Sequence, residues 1–276
     1  MSAGNRGHRV GIIAPVESET MGSLQFLTRI QGLYWRTSAR LFFRRPFVIN
    51  AKFPLVSFTF DDFPRSALLT GGAILEHFGV TGTYYASFGL MGQQSDTGTM
   101  FLREDLDTLL LHGHELGCHT LEHCHAGDTK PIVFEDSVIK NQLALSKLLP
   151  GIAFRTLSYP KSQPRAWTKR KIESRFACCR GGGQTFNAGT ADLNCLSAFF
   201  LEQSRDNPEA VKDLINQNQR ARGWLIFATH DICNTPTPWG CTPEFFENIV
   251  EHAVISGARI LPVVEAWEAL RASPPS

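Results

Sequence analysis

Apolar and polar residues follow two different rhythms along most of the chain. Short runs of consecutive apolar residues, such as Pro54–Phe60 and Trp224–Thr229, are typical of strands buried on both faces. Between them lie longer stretches in which apolar residues recur every three or four positions, and this spacing predicts amphipathic helices. The predicted strands are Pro54–Phe60, Thr81–Ser87, His114–Cys118, Ala153–Tyr159, Arg175–Cys179, Trp224–Thr229 and Ala258–Pro262. The predicted helices are Arg65–Phe78, Arg103–His112, Phe134–Leu149, Pro164–Ser174, Asp206–Arg222, Thr242–Ser256 and Val263–Arg271.

This alternation of strands and helices predicts an α/β fold. Repeated βα units are typical of a parallel sheet. About seven units fit the chain, which favours a distorted, incomplete (β/α) barrel. The alternative is an open, doubly wound sheet. In either architecture, catalytic groups lie beyond the carboxyl ends of the strands.

The composition is that of a folded domain with an uneven distribution of charge. The chain has 276 residues, of which 43% are hydrophobic and 19% charged, which excludes low-complexity and wholly disordered proteins. The net charge of +1 provides no overall attraction to nucleic acid. Residues 1–52 contain eight Lys or Arg and two Asp or Glu. We therefore predict a basic N-terminal extension at 1–52 and a main domain at 53–276.

Part of this extension has the pattern of a basic amphipathic helix. Apolar residues recur at near-helical spacing within residues 24–45, and Arg36, Arg40 and Arg44 lie on one face. Such a helix could make peripheral contact with an anionic membrane, or it could dock on the acidic main domain or on a partner subunit. The apolar positions are Leu24, Leu27, Ile30, Tyr34, Leu41 and Phe42.

Three further observations favour a cytoplasmic location. No apolar run is long enough for a transmembrane helix. The first twenty residues lack the apolar region of a signal peptide. The seven cysteines are odd in number and are not spaced as a disulfide framework. Association with a membrane surface through residues 24–45 is compatible with this location.

The first motif with candidate chemistry is TFDDFP, which follows the first strand of the main domain. Asp61 and Asp62 are adjacent carboxylates. In an extended segment their side chains would point to opposite sides, so one could bind a metal while the other faces a substrate. The alternative is a helix start, because Asp caps helices and Pro favours the first turn.

The second motif is HTLEH, in which His119 and His123 are four positions apart. On a helical turn the two imidazoles would share one face and could bind one ion. Cys118 and Cys124 nearby raise the alternative of a structural Cys/His zinc site. A structural zinc site usually needs a second pair of ligands. Cys178 and Cys179 are adjacent and lack the spacing of such a pair, which argues against that alternative.

The third motif is FATHD, at the end of the predicted strand Trp224–Thr229. His230 emerges there beside Asp231, and this position suits a general acid or base. Together the three motifs provide one Asp and two His for a metal with open coordination positions, plus a spare Asp and a spare His. These are the components of metal-assisted hydrolysis.

The three motifs, in this order, resemble those of polysaccharide deacetylases with a NodB homology domain, carbohydrate esterase family 4. The resemblance spans about residues 54–270 and implies a distorted (β/α) barrel. It further implies one divalent metal, commonly zinc, with cobalt, nickel, manganese and iron as alternatives. The implied roles are metal binding by Asp62, His119 and His123, a general base in Asp61, a general acid in His230, and tuning or orientation of that acid by Asp231.

The chain departs from the family pattern at two places. Phe63 replaces the glycine that usually follows the Asp pair, and the third family motif, here Leu157–Ser162, lacks its arginine and glycine. We expect Arg180 to replace that arginine and to hold Asp61; the alternative is a surface arginine. Phe63, Tyr159 and Trp239 are candidate sugar-binding aromatics, with ordinary packing as the alternative.

The resulting functional hypothesis is a metal-dependent hydrolase that removes an N-acyl group, most simply acetyl, from an amino sugar. Its partner would be an N-acetylated oligosaccharide, a polysaccharide or a lipid-linked glycan, as for a chitooligosaccharide deacetylase. One alternative is an inactive carbohydrate-binding protein, because the third motif is altered. Another is an amidase or deformylase that acts on a different small amide. A non-haem iron oxygenase would use the same three ligands, but the βα alternation disfavours it.

Overall fold

The computed structural model describes residues 37–272, together with residues 1, 34 and 35. The strands are β1 (Pro46–Ile49), β2 (Leu55–Phe60), β3 (Thr83–Ala86), β4 (Gln94–Ser95), β5 (Gly98–Thr99), β6 (Glu115–Cys118), β7 (Thr156–Ser158), β8 (Cys178–Arg180), β9 (Gly189–Asp192), β10 (Phe199–Phe200), β11 (Trp224–Thr229) and β12 (Arg259–Ile260). The α-helices are α1 (Ala73–His77), α2 (Arg103–Leu111), α3 (Pro131–Leu148), α4 (Ala166–Ile172), α5 (Pro208–Ala221), α6 (Pro243–Ile255) and α7 (Val263–Ala272).

The main sheet is parallel and curls into a half-barrel. Its strand order is β10-β11-β2-β3-β6-β7-β8, and β12 pairs beside the start of β2. Every ladder of this sheet is parallel. Among the described residues, the edge strands β10 and β8 pair with no further strand of this sheet, so the barrel is incomplete. The predicted distorted (β/α) barrel is therefore confirmed.

The centre of the sheet is formed by β2 and β11, which are buried along their whole length. All six residues of each strand are buried, and the two strands pair in register from Trp224 opposite Leu55. The rings of Phe58 and Phe227 stack at 5.3 Å between centroids. Since helices cover one face and the barrel interior the other, both faces demand apolar side chains. This explains the uninterrupted apolar runs that predicted the two strands.

The outer helices begin at residues suited to helix starts. Asn207 accepts a hydrogen bond from the Ala210 N–H at the start of α5, and Thr242 accepts one from the Phe245 N–H at the start of α6. Proline occupies the first turn of both helices, where its missing N–H is not needed. Each predicted helix is present, with ends displaced by a few residues. The helix predicted at Arg65–Phe78 contains a π-helical segment, Ala67–Gly72, before α1.

Part of the predicted N-terminal extension is joined to the main domain. β1 pairs with β9 in an antiparallel ladder from Pro46 opposite Asp192 to Ile49 opposite Gly189. The buried ammonium group of Lys169 binds Asp192 at 2.6 Å and the carbonyl oxygen of Ala39 at 2.6 Å. Residues 37–49 are therefore held to the body by the β1–β9 ladder and by the hydrogen bond from the buried Lys169 ammonium group.

The predicted amphipathic helix lies only partly within the described residues. Leu24, Leu27, Ile30 and Arg36 lie outside them. The described members Tyr34, Leu41 and Phe42 are exposed, as are Arg40 and Arg44. No helix in the described part of the chain has the length and apolar character that crossing a membrane requires.

Candidate active site

The three sequence motifs meet at the carboxyl edge of the half-barrel. The Asp61 N–H donates to the carbonyl oxygen of Thr229 at 2.9 Å, and the His119 N–H donates to that of Ala86 at 3.0 Å. These bonds extend the strand ladders by one residue before the chain turns away. The side chains beyond that point line a cleft of about 490 Å³, which includes Asp61, Asp62, His119, His123 and His230.

Asp62, His119 and His123 form a cluster with the composition of a metal site. Nε2 of His123 lies 3.1 Å from Oδ1 of Asp62, and Nε2 of His119 lies 3.4 Å from the same atom. One ligand atom from each of the three residues lies within 4.8 Å of the others. Oδ1 of Asp62 is buried and has no hydrogen-bond partner among the described residues. A buried carboxylate oxygen facing two imidazole nitrogens fits a divalent cation.

The protonation of the cluster also suits a cation. Nδ1 of His119 lies 2.8 Å from the carbonyl oxygen of Ser158, which can only accept, so Nδ1 carries a proton and Nε2 is the atom that faces Asp62. Burial and then the charge of His119 lower the pKa of His123 to about 4, so its imidazole is neutral at pH 7. Burial raises the pKa of Asp62, but the adjacent imidazoles of His119 and His123 outweigh it and hold that pKa below its usual range.

The backbone reaches this arrangement through left-handed residues and not through a helical turn. Asp62, Thr120 and His123 have φ angles of 62°, 63° and 52°. His119 and His123 lie in the loop after β6, so the prediction of a shared helical face is wrong, although both imidazoles reach Asp62. Asp62 is also not in extended backbone, and Asp61 and Asp62 have different partners. Non-glycine residues in this region carry strain, which is common where a loop positions functional groups.

Arg180 provides the charge partner of Asp61. It is the last residue of β8 and is 1% exposed. Its guanidinium forms an ion pair with Oδ1 of Asp61 and donates a hydrogen bond to the Ser158 hydroxyl. Burial raises the pKa of Asp61, while the charge of Arg180 lowers it most strongly, and the net shift is downward. Arg180 is thus a buried residue at the site and not a surface residue.

His230 is positioned by a loop that Asp231 organises. Nδ1 of His230 lies 3.2 Å from the carbonyl oxygen of Trp239. Oδ1 of Asp231 accepts from the Thr237 hydroxyl at 2.5 Å, and Oδ2 accepts from the Thr237 N–H at 2.9 Å. Gly240 lies so close that an added Cβ would be 2.2 Å from Oδ1 of Asp231. The sequence predicted that Asp231 orients His230. Asp231 instead holds the loop 231–241, and this loop supplies the Trp239 carbonyl that binds His230.

Only one of the three candidate sugar-binding aromatics is available to a ligand. Trp239 is 46% exposed and lines the cleft. Phe63 is fully buried and stacks on Phe101 at 4.8 Å. Tyr159 is 1% exposed, and its hydroxyl donates to the carbonyl oxygen of Asn194 at 2.9 Å. The expectation that Phe63 and Tyr159 contact a sugar is therefore corrected, because both rings pack in the core.

Several cleft residues had no role in the sequence analysis. Thr97, between β4 and β5, donates its hydroxyl to Oδ2 of Asp62 at 3.1 Å. Nζ of Lys161 lies 5.7 Å from the centre of the Trp239 ring. The hairpin of Thr97 is too short to show periodicity, whereas Lys161 stands in the recognisably altered third motif. Other unassigned lining residues are Leu90, Glu122, Ser162, Phe200, Glu202 and Gln203.

Comparisons with known proteins agree with this geometry. A family model described as "Polysaccharide deacetylase" matches residues 49–175, which include the Asp pair and both histidines of the cluster. The structure resembles the Xyl-CE4 domain of a multidomain xylanase from the hindgut metagenome of Trinervitermes trinervoides, with TM-score 0.55 and 17% identity over 82% of this chain and 95% of that chain. A family 4 acetyl xylan esterase from Clostridium thermocellum, in complex with a cobalt ion, has TM-score 0.53 and 18% identity over 80% and 93%.

A third neighbour is a CE4 family pseudoenzyme from Bacillus anthracis, with TM-score 0.54 and 10% identity over 79% of this chain and 66% of that chain. At these identities the structural similarities establish the fold. Comparison with curated proteins finds no significant match.

Proposed function

We propose that this chain is a metal-dependent hydrolase that removes an N-acetyl group from an amino sugar, and the match of residues 49–175 to the polysaccharide deacetylase model supports the proposal. The observation that carries the proposal is the Asp62, His119 and His123 cluster, which shares one cleft with Asp61 and His230. A binding protein needs neither a second carboxylate nor a second histidine beside such a cluster. Hydrolysis of an amide needs both, because it requires a base and an acid.

Asp62, His119 and His123 would hold the metal, for which we propose zinc. Two imidazole nitrogens and one carboxylate oxygen are a ligand set typical of catalytic zinc sites, and cobalt, nickel, manganese and iron accept the same donors. When bound, such an ion polarises the acyl carbonyl group and makes water more acidic. Ser158 and Thr97 support the cluster from behind, because each bonds one of its residues.

Asp61 would accept the proton of the attacking water. Arg180 keeps its carboxylate ionised at neutral pH, since it holds the pKa of Asp61 below the usual range. His230 would donate a proton to the departing nitrogen, because an amide nitrogen leaves poorly unless it is protonated. The Trp239 carbonyl accepts from Nδ1 of His230, which leaves Nε2 as the atom that exchanges the proton.

The substrate would be an N-acetylated amino-sugar oligomer or a lipid-linked glycan. The half-exposed ring of Trp239 provides a surface on which the apolar face of a sugar can pack. A lipid-linked substrate is supported by the exposed apolar residues Leu41 and Phe42 next to Arg40 and Arg44, a combination that suits peripheral contact with an anionic membrane on the cytoplasmic side.

The test combines metal analysis of the purified protein with acetate release from N-acetylglucosamine oligomers. We expect about one equivalent of metal and measurable acetate in the wild type. We expect neither in Asp62→Ala, because two histidines alone would bind the metal too weakly. Metal without acetate would contradict this substrate and direct the search to lipid-linked sugars and other amides. Absence of both metal and acetate would favour an inactive carbohydrate-binding protein.

A further inference from the structure

Glu202 is a cleft residue that the proposed mechanism does not use. It lies in the 3₁₀ turn Leu201–Ser204, directly after β10, at the same carboxyl edge as the motifs. Its side chain lines the cleft beside Phe200 and Gln203. Oε2 of Glu202 is buried and has no hydrogen-bond partner among the described residues. A buried polar atom without a partner costs free energy, and at the wall of a cleft a bond to a ligand would recover that cost.

The burial of Glu202 disfavours its ionised form. Burial raises the pKa most and the carboxylate of Asp61 adds to it, while the backbone N–H of Glu202 itself and the charges of Arg205 and Arg180 lower it, and the net pKa of Glu202 is about 8. Cys241 is also close, but burial raises the pKa of its thiol to about 12, so it carries no charge. His230 lines the same cleft. Glu202 is therefore mostly a neutral carboxylic acid at pH 7.

We propose that Glu202 binds the substrate as a neutral acid and donates its O–H to an uncharged oxygen of the sugar, either a hydroxyl or an acyl carbonyl. This inference rests on the proposed function. A carboxylic acid has one donor, whereas a carboxylate only accepts. The proposal implies a preference for uncharged sugars over uronic or sialic acids, because the Asp61 carboxylate would repel an anionic group in the cleft.

Substitution of Glu202 by an uncharged residue shows whether the side chain acts as a hydrogen-bond donor or as a negatively charged carboxylate. The amide introduced by Glu202→Gln retains the size and a donor, so this variant should keep KM for tetrameric N-acetylglucosamine within about twofold of the wild type at pH 7. Glu202→Ala should raise KM about five- to tenfold, with a smaller change in kcat, because one hydrogen bond is lost. The matched control is Glu209→Gln, which removes an exposed carboxylate that pairs with Lys212 on α5 and should change nothing.

The pH dependence distinguishes the proposal from its main rival. As pH rises through about 8, Glu202 loses its proton, so KM should rise in the wild type and stay level in Glu202→Gln. If Glu202→Gln is instead as damaging as Glu202→Ala at pH 7, the group acts as an ion, for instance toward the ammonium group of the product. That result would overturn the proposal.

A second measurement does not depend on turnover. In zinc-loaded protein labelled with ¹³C at glutamate carboxyl carbons, the Glu202 signal is the one missing from Glu202→Gln. We expect its titration midpoint near 8 and a shift on addition of the tetramer; a midpoint near the ordinary 4.5, or no shift with the ligand, overturns the proposal. If the wild type releases no acetate, the proposed function fails, while this titration still decides the role of Glu202.

Discussion

The side chain of Asp61 is buried and yet ionised, and the charge of Arg180 makes both possible. A general base has to be ionised in a buried site, and burial alone would favour its protonated form. The adjacent guanidinium restores the charge, at the cost of some basicity. We propose that Arg180 takes the place of the arginine that the altered third motif lacks.

Asp61→Asn tests this role. The amide is nearly isosteric and does not belong to the metal cluster, so metal content should stay at the wild-type level. Because an amide cannot accept the proton, kcat for acetate release should fall by about 10² to 10⁴. The check is metal analysis and turnover on the same preparation. Turnover at the wild-type rate would exclude Asp61 as the base.

Phe63 combines an unfavourable backbone with favourable packing. Its φ of 61° is one that glycine adopts freely, and glycine is the residue that the family pattern has there. The ring nevertheless stacks on Phe101 and contacts Tyr84 at 5.1 Å. The buried ring therefore offsets the strain of the left-handed conformation.

Phe63→Gly should therefore destabilise the protein even though it relieves the backbone. Loss of a buried Phe side chain costs about 3–5 kcal/mol. Glycine adopts the left-handed backbone conformation at position 63 without strain, which stabilises the folded state by about 1–2 kcal/mol. We expect the free energy of unfolding to fall by about 1–4 kcal/mol in urea denaturation. Phe63→Leu, which keeps the strain and much of the volume, serves as the comparison, and a stabilised glycine variant would contradict the balance.

Among the secondary elements, the connections after the strands carry the candidate catalytic residues, and the loop 231–241 is held by hydrogen bonds between its own residues. Its carboxylate, Asp231, binds Thr237 twice and packs on Gly240. The same loop presents the Trp239 carbonyl to His230 and the Trp239 ring to the cleft. A residue that touches no ligand can thus determine the position of two that do.

Thr237→Val removes the hydroxyl that binds Asp231 and keeps the side-chain shape. Because His230 would lose its fixed partner, we expect kcat to fall about tenfold, consistent with a displaced proton donor. Metal content should be unchanged, since the metal cluster lies on other connections. Equal losses of metal and activity would instead indicate general unfolding of the edge, and the thermal midpoint Tm measured in parallel identifies that case.

The stability of the whole molecule should depend on pH through the cluster of Asp62, His119 and His123. In metal-free protein, burial and the charge of His119 lower the pKa of His123 to about 4, whereas an unfolded histidine titrates near 6.5. Between those values the unfolded state binds more protons, so stability falls as pH falls. From pH 7 to pH 5 the loss should be about 1–2 kcal/mol, at about 1.4 kcal/mol per unit of pKa difference.

Urea denaturation of chelator-treated protein at the two pH values measures this loss. His123→Asn removes the titrating group and should show a smaller decrease between pH 7 and pH 5. Added zinc should oppose the decrease in the wild type, because a ligand that binds only the folded state stabilises it. An identical pH response in the variant would show that other groups cause the acid sensitivity.

The architecture and the motif residues could be read from the chain because both follow from local patterns. Apolar runs such as Trp224–Thr229 identify strands wherever two faces are buried, and the residue after each strand must lie at one edge of a parallel sheet. The neighbouring aspartates and the paired histidines could therefore be assigned to one site. β4, β5 and β10 escaped prediction because two residues show no period.

The surroundings of these residues depended on contacts between distant parts of the chain. The pairing of Arg180 with Asp61 joins residues 119 positions apart, and its strength depends on burial. Phe63, Tyr159 and Trp239 are chemically similar, but packing buries the first two and exposes the third. Packing also leaves Oε2 of Glu202 buried without a hydrogen-bond partner among the described residues. Local patterns specify which residues end each strand, whereas solvent exposure, charge pairing and the pKa of each group depend on the neighbours that only the folded chain brings together.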